Sequence, residues 1–127
     1  MRILVIEDSP VNMALTIAIL ERAGHVTLQA EYAIDGIDIA RFQLPDLVLM
    51  DLYLPDIGGL DATRMLKADS RTAHIPVIAL TASAIQSDED DLRGAGCDGF
   101  VTKPIRYEQF LSVVNAVARR RAVTAPH

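Results

Sequence analysis

A chain of 127 residues is the size of one compact domain, able to bury roughly two-thirds of the surface its unfolded form exposes. With 50% hydrophobic and 23% charged residues the balance is globular, and no apolar run reaches the ~18 residues that suggest a membrane-spanning helix. A net charge of -5 speaks against general affinity for nucleic acid, which needs a surplus of Lys and Arg on one face.

In chain order, Met1-Arg2 leads directly into the apolar run Ile3-Ile6, which acids follow too soon for a secretory signal, so a cytoplasmic location is expected. The run is a strand buried on both faces. A helix follows, with Asp8 or Ser9 as N-cap, Pro10 in the first turn, Met13, Ile17 and Leu20 on one face, and Gly24 as the stop. Val26-Ala30 alternates apolar and polar residues and reads as a strand exposed on one side. Ile37 and Ala40 share a face of the next helix, and Leu47-Met50 is a second doubly buried strand. A helix over about Leu60-Ala68, the strand Val77-Leu80 and a helix over about Ile85-Arg93 come next. Gly99-Phe100-Val101 makes a short last strand, and Phe110, Val113, Val114 and Val117 mark a last helix. Arg119-Arg120-Arg121 complements the dipole at its end, and Ala122-His127 reads as a frayed tail.

Five βα units of this kind fold as an α/β domain: a doubly wound parallel sheet with right-handed crossovers and helices on both faces, over residues 1-121. Val26-Ala30 and Gly99-Val101 belong towards its edges. Ligands of such sheets bind beyond the carboxyl ends of the strands. There the sequence places Glu7 and Asp8, then Asp51, then Thr81, then Lys103 with Pro104. Three carboxylates in one crevice repel one another unless some stay protonated or a cation sits among them. Hard oxygen ligands with room for water and a phosphate favour Mg²⁺ over a Ca²⁺ cage, with Mn²⁺ as the substitute. Lys103 and Thr81 add a charge and a hydroxyl that can neutralise the oxygens of a phosphoryl group. Asp51, the lone acid on the middle strand, is the expected acceptor.

Glu7-Asp8, Leu49-Met50-Asp51, Leu54-Pro55, Gly58-Gly59, Leu80-Thr81-Ala82 and Thr102-Lys103-Pro104 together resemble the motifs of response-regulator receiver domains of two-component signalling. The resemblance covers nearly the whole chain and extends, through Asn12-Met13, Ala73-Val77, Gly96-Cys97 and Pro104-Ile105, to the single-domain cell-division regulators of the DivK type. It implies a flavodoxin-like (βα)5 fold with strand order 2-1-3-4-5. It also implies Mg²⁺ held by Asp8, Asp51 and the backbone carbonyl of Tyr53, with Glu7 acting through a bound water. Asp51 would take a phosphoryl group from a phosphohistidine on a sensor histidine kinase or a histidine phosphotransfer protein. Thr81 and Phe100 would then switch the surface of the fourth helix, fifth strand and fifth helix for a downstream protein target, as a monomer or a phosphorylation-dependent dimer. The family further implies a cis Lys103-Pro104 peptide and an influence of positions Tyr53 and Ser83 on phosphoryl lifetime. Phe100 stands where many members carry Tyr.

Other features invite rival readings. Gly94-Ala95-Gly96-Cys97-Asp98-Gly99 matches a dinucleotide fingerprint, but a helix precedes it and a strand follows, the reverse of the required context. Lone Cys97 cannot form an internal disulfide and reads as a core residue. Asp88-Glu89-Asp90-Asp91 reads as an acidic first helical turn. His25, His74 and His127 lie away from the strand ends and suggest no zinc site. An aspartate-nucleophile phosphatase would need a second acid at position 53, which is Tyr, and a flavin binder would need a phosphate loop where Glu7-Asp8 stands. The expected activity is therefore a protein's own phosphorylation and dephosphorylation, in a stand-alone regulator or in a receiver belonging to a hybrid kinase or longer regulator.

Overall fold

The structure, a computed structural model, describes residues 1–82 and 86–124, with side chains over 1–82 and 89–120. Strands β1 (Arg2–Ile6), β2 (Val26–Ala30), β3 (Leu47–Asp51), β4 (Val77–Thr81) and β5 (Gly99–Thr102) alternate with helices α1 (Pro10–Arg22), α2 (Ala33–Gln43), α3 (Gly59–Ala68), α4 (Gln86–Ala95) and α5 (Tyr107–Thr124). The strands form one parallel sheet in the order β2-β1-β3-β4-β5. This is the expected order, with the alternating strand and the short last strand at the edges. Ser83 and the expected start of the fourth helix at Ile85 lie outside the described residues, as do the final residues 125–127 of the expected tail. Helix α5 continues through Thr124, past the boundary expected at 121.

The apolar runs are buried on both sides because successive side chains point to opposite faces. Ile3, Val5, Leu47, Leu49, Ile78 and Leu80 pack against Met13, Ile19 and Leu20 of α1 and Phe110, Val114 and Val117 of α5. On the other face Leu4, Ile6, Val48, Met50 and Val77 meet Ala33, Ile37 and Ala40 of α2 and Ala62 and Leu66 of α3. Helix α1 begins at Ser9, whose hydroxyl accepts the Asn12 N–H at 3.3 Å, and Gly24 beyond its end takes φ +92°. Ile17 is only partly buried, whereas Thr16 and Ile19, which the helical spacing did not single out, are fully covered. Gly96, at φ +100°, turns the end of α4 into β5, which settles the glycine string as a helix stop.

One close approach fixes the segment after β3. The Gly59 N–H donates to the Leu52 carbonyl at 3.0 Å, bringing the start of α3 back over the end of β3. A Cβ at Gly59 would overlap the Asp51 carbonyl oxygen and lie 2.7 Å from Leu52 Cα, with backbone on both sides of the conflict. Gly94, exposed in α4, would meet nothing within 4 Å. Gly59→Ala is therefore expected to destabilise the fold by about 1–3 kcal/mol through overpacking. Gly94→Ala should stabilise it by up to about 1 kcal/mol through helix propensity. Urea unfolding of both variants measures the contrast, and equal midpoints would show that the start of α3 yields freely.

Candidate metal and phosphoryl site

The expected site residues converge at the carboxyl edge of the sheet. Asp51 and Thr81 are the last residues of β3 and β4, one place earlier relative to their strands than the apolar runs suggested. Glu7 follows β1, and its N–H donates to the Ala30 carbonyl at 3.0 Å, extending the pairing with β2 by one bond. Lys103 follows β5, and its N–H donates to the Thr81 carbonyl at 2.7 Å. The Lys103-Pro104 peptide is cis. Glu7, Asp51 and Thr81 are buried, while Asp8 is exposed at the mouth. Phe100 is half-buried in the middle of β5, opposite Ala79.

Charge is concentrated here without the means to disperse it. One oxygen each from Glu7, Asp8 and Asp51 lies within 4.8 Å of the others, the one such acidic trio among the described residues. Lys103 Nζ stands 3.0 Å from Glu7 Oε1 and 3.3 Å from Asp51 Oδ1. Asp51 Oδ1 also accepts the Tyr53 N–H at 3.1 Å. Glu7 Oε2 is buried and has no hydrogen-bond partner.

Burial, then the neighbouring Asp51 carboxylate, push Glu7 up to about 7, against the opposing pull of Lys103. Burial acts to raise Asp51 too, but hydrogen bonding to Glu7 and to the Tyr53 N–H, with Lys103 nearby, holds it below the ordinary carboxylate range. Desolvation disfavours the Lys103 ammonium, yet its two carboxylate partners more than restore it and leave it raised. Below about pH 7 the metal-free pair thus tends to keep one proton, on Glu7. A small divalent cation would do the same work without the proton. Three convergent carboxylates, one with an unpartnered buried oxygen, are the kind of donor set that Mg²⁺ or Mn²⁺ accepts while keeping several waters.

The surroundings shape access. A cleft of about 730 Å³ runs from Glu7 and Asp8 along α1 past Met13, Ile17 and Glu31. A second, of about 390 Å³, lies between Tyr53, Gly58, Thr81 and Leu92. The Tyr53 side chain is 72% exposed, so position 53 offers no buried acid or base to the centre. His25 stands far from this edge with its ring nitrogen 3.1 Å from the N-terminal amine, and Arg120 donates to the Asp98 carbonyl at 2.8 Å. Cys97, expected as a core residue, is only half-buried at the turn into β5, and burial pushes its thiol up. Asp56 was not singled out in the sequence, yet its carboxylate accepts two backbone N–H groups of α2. The only sequence signal was an acid in the loop directly after Pro55.

The protonation of Glu7 has a sign that can be measured. Its pKa rises on folding from 4.5 to about 7, so the folded protein holds the extra proton between these values. Stability from this group is complete below pH 4.5 and is lost as pH rises through about 7. His25, lowered by burial and by the N-terminal charge, acts in the opposite sense, so the quantity to read is a difference. In chelator, the stability of wild type minus that of Glu7→Gln is expected to fall from about pH 5 to about pH 8. A flat or rising difference would show that Glu7 is ionised throughout.

Comparison with known proteins agrees with this geometry. The profile of the response regulator receiver domain matches residues 3–115. The polar-differentiation response regulator DivK of Brucella anthropi is 38% identical over 114 residues, covering 90% of this chain and 93% of that protein, and DivK of Brucella ovis aligns equally well. The receiver domain of the sensor histidine kinase PA1611 from Pseudomonas aeruginosa, solved with a magnesium ion in its active-site cleft, is 31% identical. It superposes with TM-score 0.85 over 93% of this chain and 97% of that one. The receiver domain of a signal transduction histidine kinase from Syntrophus aciditrophicus is 28% identical, with TM-score 0.86 over 99% and 94% of the two chains. With the strand order, the acidic trio and the lysine already in place, the chain belongs to the response regulator receiver domain family of two-component signalling.

Proposed function

We propose that this chain is a phosphorelay protein that accepts a phosphoryl group on Asp51 from a phosphohistidine of a sensor histidine kinase or histidine phosphotransfer protein. The observation that supports the proposal is a buried Asp51 carboxylate 3.3 Å from Lys103 and grouped with Glu7 and Asp8, in surroundings that hold it below the ordinary carboxylate range. A carboxylate that stays charged in a dry site is a competent nucleophile. An Asp51 oxygen attacks phosphorus in line, the bond from phosphorus to the imidazole nitrogen breaks, and the imidazole leaves with that electron pair and takes up a proton. Asp8, Asp51 and the Tyr53 carbonyl would hold Mg²⁺, with Glu7 acting through a bound water, and the ion would supply charge to neutralise the phosphoryl oxygens. Lys103 supplies a second counter-charge, and its 3.3 Å approach to Asp51 already puts the ammonium at the acceptor.

The likeness to DivK favours a stand-alone cytoplasmic regulator over a receiver within a longer kinase. The output we assign to this site is a change in the α4-β5-α5 surface. Thr81, buried at the end of β4, would turn towards the new oxygens, and Phe100 would move further inward from its half-buried position. The altered surface then meets a protein target. Lacking a buried acid at position 53, the site turns over its own phosphoryl group slowly by water attack and is not a phosphatase of small esters.

Intact mass spectrometry after incubation with Mg²⁺ and acetyl phosphate provides the test. The expected result is one labile phosphoryl adduct on the wild type, none when chelator is present during the incubation, and none on Asp51→Asn. An adduct that survives the substitution would move the acceptor elsewhere.

A further inference from the structure

Helix α2 lacks a cap of its own. Its N-cap residue Tyr32 makes no side-chain hydrogen bond to the helix, although a helix start leaves several N–H groups unpaired. The missing acceptor comes from another segment. Asp56, in the connection between β3 and α3, accepts the Ala33 N–H through Oδ1 at 2.9 Å and the Ile34 N–H through Oδ2 at 2.9 Å. Each carboxylate oxygen is thus committed to one of the first two residues of α2, where the helix dipole favours a negative charge.

The segment that carries Asp56 is the one that leaves the phosphoryl acceptor. Between Asp51 and Gly59 it is held at its two ends, by the Tyr53 N–H on Asp51 and by the Gly59 N–H on the Leu52 carbonyl. Between those ends, Leu54 is inserted in the same apolar cluster as Ala33 and Ile37 of α2. Leu54 fixes the depth of the loop but allows it to slide, because apolar packing is not directional. Two directed bonds from one carboxylate remove that freedom. Tyr53 itself has an exposed side chain, so no packing of its ring sets where its carbonyl points.

We infer that Asp56 is a positioning residue of the metal centre: by clamping the loop to the start of α2 it sets the position of the Tyr53 carbonyl. This rests on the reading above that this carbonyl is a Mg²⁺ ligand. Asp56 touches neither metal nor phosphoryl group and acts through the backbone. Partners one step removed from a metal typically change its affinity 10–100-fold when lost. Because coupling is reciprocal, the ion should also steady the start of α2.

Three proteins decide the matter by calorimetric titration with Mg²⁺ alone: wild type, Asp56→Ala, and Asp56→Ala combined with Tyr32→Asp, which gives α2 a cap from its own chain. The single variant should bind Mg²⁺ on the order of 10-fold more weakly. Its acetyl phosphate labelling rate at saturating Mg²⁺ should stay within about 2-fold of wild type, since the acceptor and Lys103 are untouched. The double variant should regain melting temperature but not Mg²⁺ affinity. Equal affinity in wild type and Asp56→Ala would overturn the inference while leaving the site intact, as would affinity that returns together with stability in the double variant. A wild type that binds no Mg²⁺ would instead overturn the metal site and the inference with it. Without any substitution, Mg²⁺ should slow hydrogen exchange at the Ala33 and Ile34 amides of the wild type, and unchanged exchange there would contradict the clamp.

Discussion

Lys103 Nζ lies 3.0 Å from Glu7 and 3.3 Å from Asp51, and the site depends on that one cation between two buried carboxylates. Two unit charges about 4 Å apart interact by about 4 kcal/mol at an effective dielectric near 20, a large share of a domain's net stability. Lys103 offsets part of the repulsion, and a proton on Glu7 offsets more. What remains is a centre with one oxygen unsatisfied and the third acid, Asp8, at the mouth. Such a centre is suited to a divalent cation, and a phosphoryl group on Asp51 would give Lys103 a new partner. The tension that weakens the metal-free fold is the same property that makes the site responsive.

The parallel sheet keeps these groups together. Register pairs Asp51 with Leu80 and Thr81 with Thr102, so the polar ends of three neighbouring strands arrive within one residue of the same level. Apolar layers on both faces cover the central strands β1, β3 and β4 and leave their carboxyl ends to the polar residues. Behind Asp51 the chain has little room, since Gly59 lies against its carbonyl and Asp56 ties the intervening loop to α2. Asp51, the proposed acceptor, thus stands at the end of a strand and at the start of a short tethered loop. The first would hold the proposed nucleophile, and the second would aim the proposed backbone ligand.

Much of this was legible in the sequence because strands buried on both faces write themselves as short unbroken apolar runs. Ile3-Ile6, Leu47-Met50 and Val77-Leu80 could be placed at the centre of the sheet, and the residues after them could be read as its reactive edge. Ser9, Pro10 and Gly24 marked α1 because cap chemistry is local. Interactions between distant segments were not legible. The two bonds of Asp56 span 23 and 22 residues, and nothing in the sequence near Tyr32 announces that its helix is capped from elsewhere. The raised pKa of Glu7 was foreseen only as repulsion among three acids, since which acid keeps the proton depends on burial. The strand ends were read one residue short because Asp51 and Thr81 are polar yet still pair within the sheet.

Of the three clustered acids, Asp51 is the one proposed to become an acyl phosphate. Borohydride reduces an acyl phosphate to an alcohol and so converts the modified aspartate to homoserine, which peptide sequencing by mass spectrometry can locate. After treatment with Mg²⁺ and phosphodonor, homoserine is expected at position 51 and at no other acid. Homoserine at Asp8 or Asp56, or reduction of Glu7, would contradict the assignment and place the acceptor outside the end of β3.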